Sequence, residues 1–88
     1  MSNLSQHDTI LLAMLNNRDI EWWNAVDFQQ GKYFVGYEAT ARMSELAFKY
    51  PMLIKRGKVG RFRVIGINWE DEKEVQEQKE RIEILLKD

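Results

Sequence analysis

The chain has 88 residues, no cysteine and a net charge of −1, so we expect one domain, and disulfides and thiolate metal sites are excluded. It has no apolar run near the roughly 20 residues of a membrane-spanning helix and no signal-peptide pattern at its N-terminus, which favours a cytoplasmic location. The net charge conceals an asymmetry, because residues 31–63 hold eight basic and two acidic side chains. Such a cationic segment predicts binding to a polyanion while the remaining surface stays acidic.

Two short helices are predicted in the first third of the chain. Ser5, with an acidic residue three positions on, resembles a capping box at the start of a helix over residues 5–17. Its apolar positions recur at helical spacing: Ile10, Leu11, Met14 and Leu15. A short strand is predicted at residues 20–23. Asn24 is a suitable N-cap for a second helix, and Gly31 suits the left-handed position just after its end.

A third helix and a β-hairpin are predicted in the cationic segment. The helix is predicted over residues 37–49 and is stopped by Pro51, which disfavours helical backbone in the residue before it. Its predicted buried stripe is Ala39, Met43, Leu46, Ala47 and Tyr50. A hairpin over residues 52–69 follows, with its turn at residues 57–60. Alternating apolar and basic residues predict one face directed inward and a basic face directed outward.

The last predicted helix covers residues 70–88 and carries a sparse apolar seam of Val75, Ile82 and Leu85. Two interpretations fit this seam. It pairs with the same helix of a second chain to form a homodimer, or it packs on the first helix of its own chain. We favour the homodimer because so small a domain gains stability from additional burial.

Three segments resemble the winged helix-turn-helix family of bacterial and phage regulators: WWNAVDF at 22–28, ATARMSELAFKYPMLIKR at 39–56 and KRGKVGRFRV at 55–64. The resemblance covers about residues 5–69. It implies an α+β domain, with a three-helix core, a β-hairpin wing and an additional C-terminal helix. It also implies a duplex DNA-binding protein, a small transcriptional regulator, with its third helix in the major groove and its wing on the DNA backbone.

Candidate DNA contacts lie on the third helix and on the hairpin. Short side chains let a helix approach base edges, and arginine can read guanine with two hydrogen bonds. Five hairpin cations without an acid among them repel one another, so phosphate binding explains them better than protection of a strand edge, which needs only one or two lysines. The predicted contacts are Tyr37, Thr40, Ala41, Arg42, Ser44 and Lys49 on the helix, and Lys55, Arg56, Lys58, Arg61 and Arg63 on the hairpin.

Other functional classes receive less support from the residues. No catalytic or nucleotide-binding motif is present, and His7 has only acids near it in the sequence, so we expect no enzyme activity, no metal and no cofactor. The scattered aromatic residues are predicted to be core: Trp22, Trp23, Phe28, Phe34, Phe48, Phe62 and Trp69. The rival interpretation is a winged-helix protein–protein interaction module, such as a phage protein that binds a host factor. A continuous positive surface would favour DNA, and an exposed apolar patch would favour a protein partner.

Overall fold

The computed structural model describes residues 4–87. Their elements, in chain order, are α1 (Gln6–Leu15), α2 (Val26–Gln29), α3 (Ala39–Lys49), β1 (Ile54–Val59), β2 (Phe62–Ile67) and α4 (Glu72–Lys87). The two strands pair antiparallel and form a hairpin. The described part of the chain is therefore a small α+β domain with four helices and a two-stranded sheet. None of these helices is long and apolar enough to cross a membrane.

One hydrophobic core joins all six elements. The predicted stripes are confirmed on α1, where Ile10, Leu11, Met14 and Leu15 are buried, and on α3, where Ala39, Met43, Leu46 and Ala47 are buried. Trp23 and Phe28 stack on each other at the centre, with ring centroids 5.3 Å apart. Tyr33 meets the Trp23 ring edge-on at 5.4 Å. Aromatic side chains thus supply much of the buried apolar area in this small domain.

Local capping by Ser5 sets the start of α1, as the sequence predicts, whereas the N-cap of α2 is Ala25 and not the predicted Asn24. The Asp8 amide donates to Ser5 Oγ at 3.1 Å. Asn24 Oδ1 accepts from the Val26 amide at 3.3 Å, while the Asn24 amide donates to Asp27 Oδ2 at 2.9 Å. Gly31 has a φ of 82° and follows the end of α2, as a left-handed C-cap requires.

The predicted strand at residues 20–23 is reduced to a single bridge. The Trp23 amide donates to the Ile65 oxygen at 2.7 Å, and the Ile65 amide donates to the Trp23 oxygen at 3.0 Å. This bridge places the segment before α2 along the free edge of β2. It thereby fixes the position of the hairpin relative to the helices.

The turn of the hairpin lies at Gly60 and Arg61, so the predicted turn at residues 57–60 is wrong. β1 continues to Val59, which pairs with Phe62 across a two-residue turn. Gly60 has a φ of 62°, and two-residue hairpin turns require positive φ. Gly57 has a different role, because a Cβ there would lie 2.6 Å from the Trp22 ring.

The prediction of an outward basic face is also wrong. Residues directly opposite each other in an antiparallel pair share a face, as do alternate residues along a strand. The register therefore puts these residues on one face: Ile54, Arg56, Lys58, Arg63, Ile65 and Ile67. The three isoleucines belong to the core. Arg56, Lys58 and Arg63 therefore lie on the core-facing side of the hairpin, toward its turn. The predicted alternation of inward apolar and outward basic side chains fails because the Glu21–Trp22 segment covers the other face of the hairpin. A Cβ at Gly66 on that face would overlap the Glu21 backbone oxygen.

The C-terminal helix α4 packs on its own chain. Val75 is 7% exposed and Ile82 is 1% exposed, and both belong to the core that contains α1. Two of the three side chains of the predicted homodimer seam, Val75, Ile82 and Leu85, are therefore already buried within the chain, and the homodimer itself stays a prediction. The alternative interpretation, packing on the first helix, is the one that the structure supports.

An ion pair ties α4 to the start of α1. The guanidinium of Arg81 donates from Nη2 to Asp8 Oδ1 at 2.7 Å and from Nη1 to Asp8 Oδ2 at 3.3 Å. Chiefly through these hydrogen bonds, Arg81 lowers the pKa of Asp8 below its ordinary value. The lowered pKa means that ionised Asp8 stabilises the fold above about pH 4, where an unfolded aspartate is charged. That contribution is lost as the pH falls through the folded pKa.

Asp8→Asn should therefore remove part of the acid sensitivity of the fold. Near neutral pH we expect the free energy of unfolding to drop by about 1.5 kcal/mol, the lower end for hydrogen bonds to charged groups, because the Arg81 side chain is 36% exposed. Well below pH 4 the difference between the two proteins should shrink. Urea denaturation at several pH values measures it, with Asp19→Asn, an exposed carboxylate, as the control. A difference that does not change with pH would contradict this role of Asp8.

Candidate nucleic-acid interface

A groove of about 610 Å³ lies between α3 and the hairpin, and we call it the α3–hairpin groove. Its α3 side is formed by Thr40, Met43, Ser44 and Ala47, and its hairpin side includes Arg56, Lys58, Arg61 and Arg63. Asn24 and Ala25, which precede α2, also line it. None of the described residues that line the groove is acidic. The groove therefore combines four cations with short side chains of a helix.

The hairpin cations stand where their charges reinforce one another. Lys58 pairs directly with Arg63 across the strands, and like charges in directly opposite positions destabilise a sheet. Arg56 shares their face, and Arg61 is in the adjoining turn. An anion in the groove would remove this repulsion. The arrangement is thus suited to a polyanion that offers several negative groups at once.

Lys55 does not join the other hairpin cations, although the sequence groups it with them. Its partner across the strands is Gly66, which puts it on the opposite face of the hairpin. There its Nζ lies 3.3 Å from Glu21 Oε1 and 4.6 Å from the centre of the Trp22 ring. The Lys55 charge is therefore balanced within the chain and directed away from the groove.

The structure separates the predicted α3 contacts into two sets. Thr40, Ala41 and Ser44 are exposed as predicted, and Thr40 and Ser44 line the groove. Arg42 instead forms an ion pair, with its Nε 2.8 Å from Glu45 Oε1. The same Glu45 oxygen lies 2.8 Å from His7 Nε2 on α1. Arg42 does not line the groove, so the structure does not bring this predicted contact together with Thr40 and Ser44.

The two ends of α3 also differ from the prediction. Tyr37 does not begin the helix but lies in the turn before it, 84% exposed, where its ring meets Phe34 edge-on at 5.9 Å. Lys49 ends the helix with its Nζ 5.4 Å from the Tyr50 ring centre. Neither residue lines the groove. Lys49 carries a positive charge where the helix macrodipole favours one.

Three aromatic residues predicted to be core are on the surface instead. Phe34 is 53% exposed, Phe48 is 83% exposed and Phe62 is 61% exposed. Phe62 lines the groove, and Phe48 lies on the solvent side of α3. Helical spacing could have identified Phe48, because it falls outside the stripe formed by the buried α3 residues.

No protein-family model, curated protein or solved structure matches the chain. The chemistry of the α3–hairpin groove is therefore the basis on which a function can be assigned.

Proposed function

We propose that the chain is a winged helix-turn-helix protein that binds duplex DNA and acts as a small transcriptional regulator. In this proposal α3 enters the major groove, and the hairpin is the wing, held against the DNA backbone. The element order is compatible with that fold: α1, a bridged segment, α2, α3 and then the hairpin. A helix and a two-stranded ribbon are the two shapes that the major groove of DNA admits.

One observation carries the proposal: Arg56, Lys58, Arg61 and Arg63 line one groove together with exposed short side chains of α3. Cations of this kind bind phosphates and release the counterions of DNA, which supplies affinity for any sequence. The small Thr40 and Ser44 side chains allow α3 to come close to base edges. The acidic residues of α4 would be repelled by DNA. Because α4 packs on α1, and no described residue of α1 lines the groove, α4 would stay away from the bound duplex.

A salt titration tests the proposal. If each of the four groove cations neutralises one phosphate, the logarithm of the binding constant should fall with the logarithm of salt concentration at a slope of about −3.6. Including Lys55 would give about −4.5, so the slope also tests the separation of Lys55 from the groove. The measurement is a fluorescence-anisotropy titration of random-sequence duplex DNA at several salt concentrations. A flat response would contradict phosphate binding.

A second candidate function, docking of a protein partner, is favoured by one observation. Phe48 is 83% exposed and lines a depression together with the groove residue Arg56, and Tyr37 is 84% exposed in the turn before α3. Large exposed apolar side chains often mark protein interfaces. A chain that acts only by docking a protein partner would show no salt-dependent binding to duplex DNA, so the same titration distinguishes the two functions.

A further inference from the structure

The solvent side of α3 carries an uncharged stripe that the cations do not account for. Ala41, Ser44 and Phe48 are three and seven residues apart and therefore lie on one helix face. We call these three residues the α3 outer stripe. All three are exposed, and Phe48 is 83% exposed. Burying a phenylalanine side chain contributes about 1.5–3 kcal/mol of free energy relative to leaving it in water. Phe48 would gain this stabilisation if a ligand covered its ring.

The α3 outer stripe adjoins the cations of the hairpin. Ser44 lines the α3–hairpin groove together with Arg56. Phe48 and Arg56 in turn line a shallow depression next to that groove, with Pro51 between α3 and β1. A duplex whose phosphates are held by the hairpin cations would therefore be brought against this stripe.

The arginine of α3, the residue type that could read guanine, is not a member of the α3 outer stripe and does not line the α3–hairpin groove. Bidentate contact with guanine requires a free guanidinium directed at the base edge. Arg42 is instead paired with Glu45, which also contacts His7 on α1. The α3 outer stripe offers DNA a methyl group, a hydroxyl group and an aromatic ring. Exposed Glu45, four residues after Ala41 and three before Phe48, borders the stripe, and its charge is paired with Arg42 and His7.

We infer that α3 recognises thymine through its C5 methyl group, an inference that rests on the proposed duplex binding. Alanine and phenylalanine side chains make apolar contact with this methyl, which only thymine among the four bases presents in the major groove. Ala41 and Phe48 are seven residues apart, or about 10.5 Å along the helix. Over that length of a helix lying in the major groove, they would meet the methyl groups of two different thymines.

The test is a pair of alternating A·T duplexes, one with thymine and one with deoxyuridine, which lacks only the methyl group. Binding to the deoxyuridine duplex should be weaker by about fourfold for each methyl contacted, equal to the about 0.8 kcal/mol of one buried methyl group. Two contacts would give a ratio of roughly fifteenfold by the same constant. In an alternating G·C duplex, 5-methylcytosine adds the methyl at the same groove position and should strengthen binding.

Phe48→Ala should reduce the thymine-to-deoxyuridine ratio by about fourfold, the loss of one methyl contact, and leave the slope of the salt titration unchanged. Because Phe48 is 83% exposed, this variant should fold normally, which far-UV circular dichroism checks. The matched control is Ile84→Ala, which removes a 63% exposed apolar side chain from α4 and should leave the ratio unchanged.

The outcomes separate this inference from the proposed function. Equal affinity for the thymine and deoxyuridine duplexes, with the expected salt slope, would overturn thymine recognition and leave DNA binding intact. Failure to bind either duplex would overturn both, and is the result expected if the stripe docks a protein. An unchanged ratio in Phe48→Ala would also overturn the assignment of Phe48 to a thymine methyl.

Discussion

Replacing Arg61 and Arg63 by alanine should weaken binding to duplex DNA by about 100-fold at low salt. Each arginine lines the α3–hairpin groove, and a hydrogen bond to a charged phosphate contributes about 1.5 kcal/mol, or roughly tenfold. The slope of the salt titration should also fall from about −3.6 to about −1.8, because two fewer counterions are released. Anisotropy titration of the same duplex measures both quantities.

The matched control for this change is Lys55→Ala with Lys73→Ala. It removes the same two charges, from the opposite hairpin face and from exposed α4. If position in the groove determines binding, this control should retain a slope near −3.6. Equal losses in the two double variants would mean that net charge, and not the α3–hairpin groove, determines the affinity.

Trp23→Ala should lower the free energy of unfolding by about 3–5 kcal/mol, the usual loss when a large buried aromatic residue is truncated. Trp23 is 2% exposed, stacks on Phe28 and contacts Tyr33 edge-on. It also forms the bridge between the segment before α2 and β2. Because small domains have only about 5–15 kcal/mol of stability in total, much of the protein should unfold under mild denaturant.

Urea denaturation followed by far-UV circular dichroism measures this loss. Phe48→Ala is the comparison, because its ring is already in solvent and surface substitutions usually change stability by less than about 0.5 kcal/mol. An unchanged urea midpoint for Trp23→Ala would show that the core does not depend on the Trp23–Phe28 stack.

The sequence predicted those parts of the fold that depend on neighbours along the chain. The Ser5 cap, the position of Gly31 and the buried stripes of α1 and α3 follow from spacing within one element. Capping and helical periodicity involve residues at most a few positions apart, so they can be read without a structure. The start of α3 was misplaced by two residues, at Tyr37 instead of Ala39.

The directions of the hairpin side chains could not be predicted in this way. They depend on the turn at Gly60 and on the Glu21–Trp22 segment, which covers the opposite face of the hairpin. Lys55 pairs with Glu21, which is 34 residues away in the sequence. No pattern among neighbouring residues predicts such a pair. A run of five cations therefore becomes four in the groove and one outside it.

The ion pairs of α3 are partly local and partly long-range in the sequence. Arg42 and Glu45 are three residues apart on one helix, so their ion pair is of the local kind that spacing can predict. His7, 38 residues from Glu45, joins this pair only after α1 packs on α3. The exposure of Phe48 on α3, at 83%, is the observation on which thymine recognition rests.

Amide chemical-shift mapping tests the position of the DNA site most directly. A ¹⁵N-labelled chain would be titrated with duplex DNA, and the shifts of each amide followed by nuclear magnetic resonance. Proposed binding in the α3–hairpin groove predicts that the largest shifts fall at residues 40–48 and 56–63, with α4 little changed. Shifts centred on α4 or on Glu21 and Trp22, with the groove residues unmoved, would contradict it.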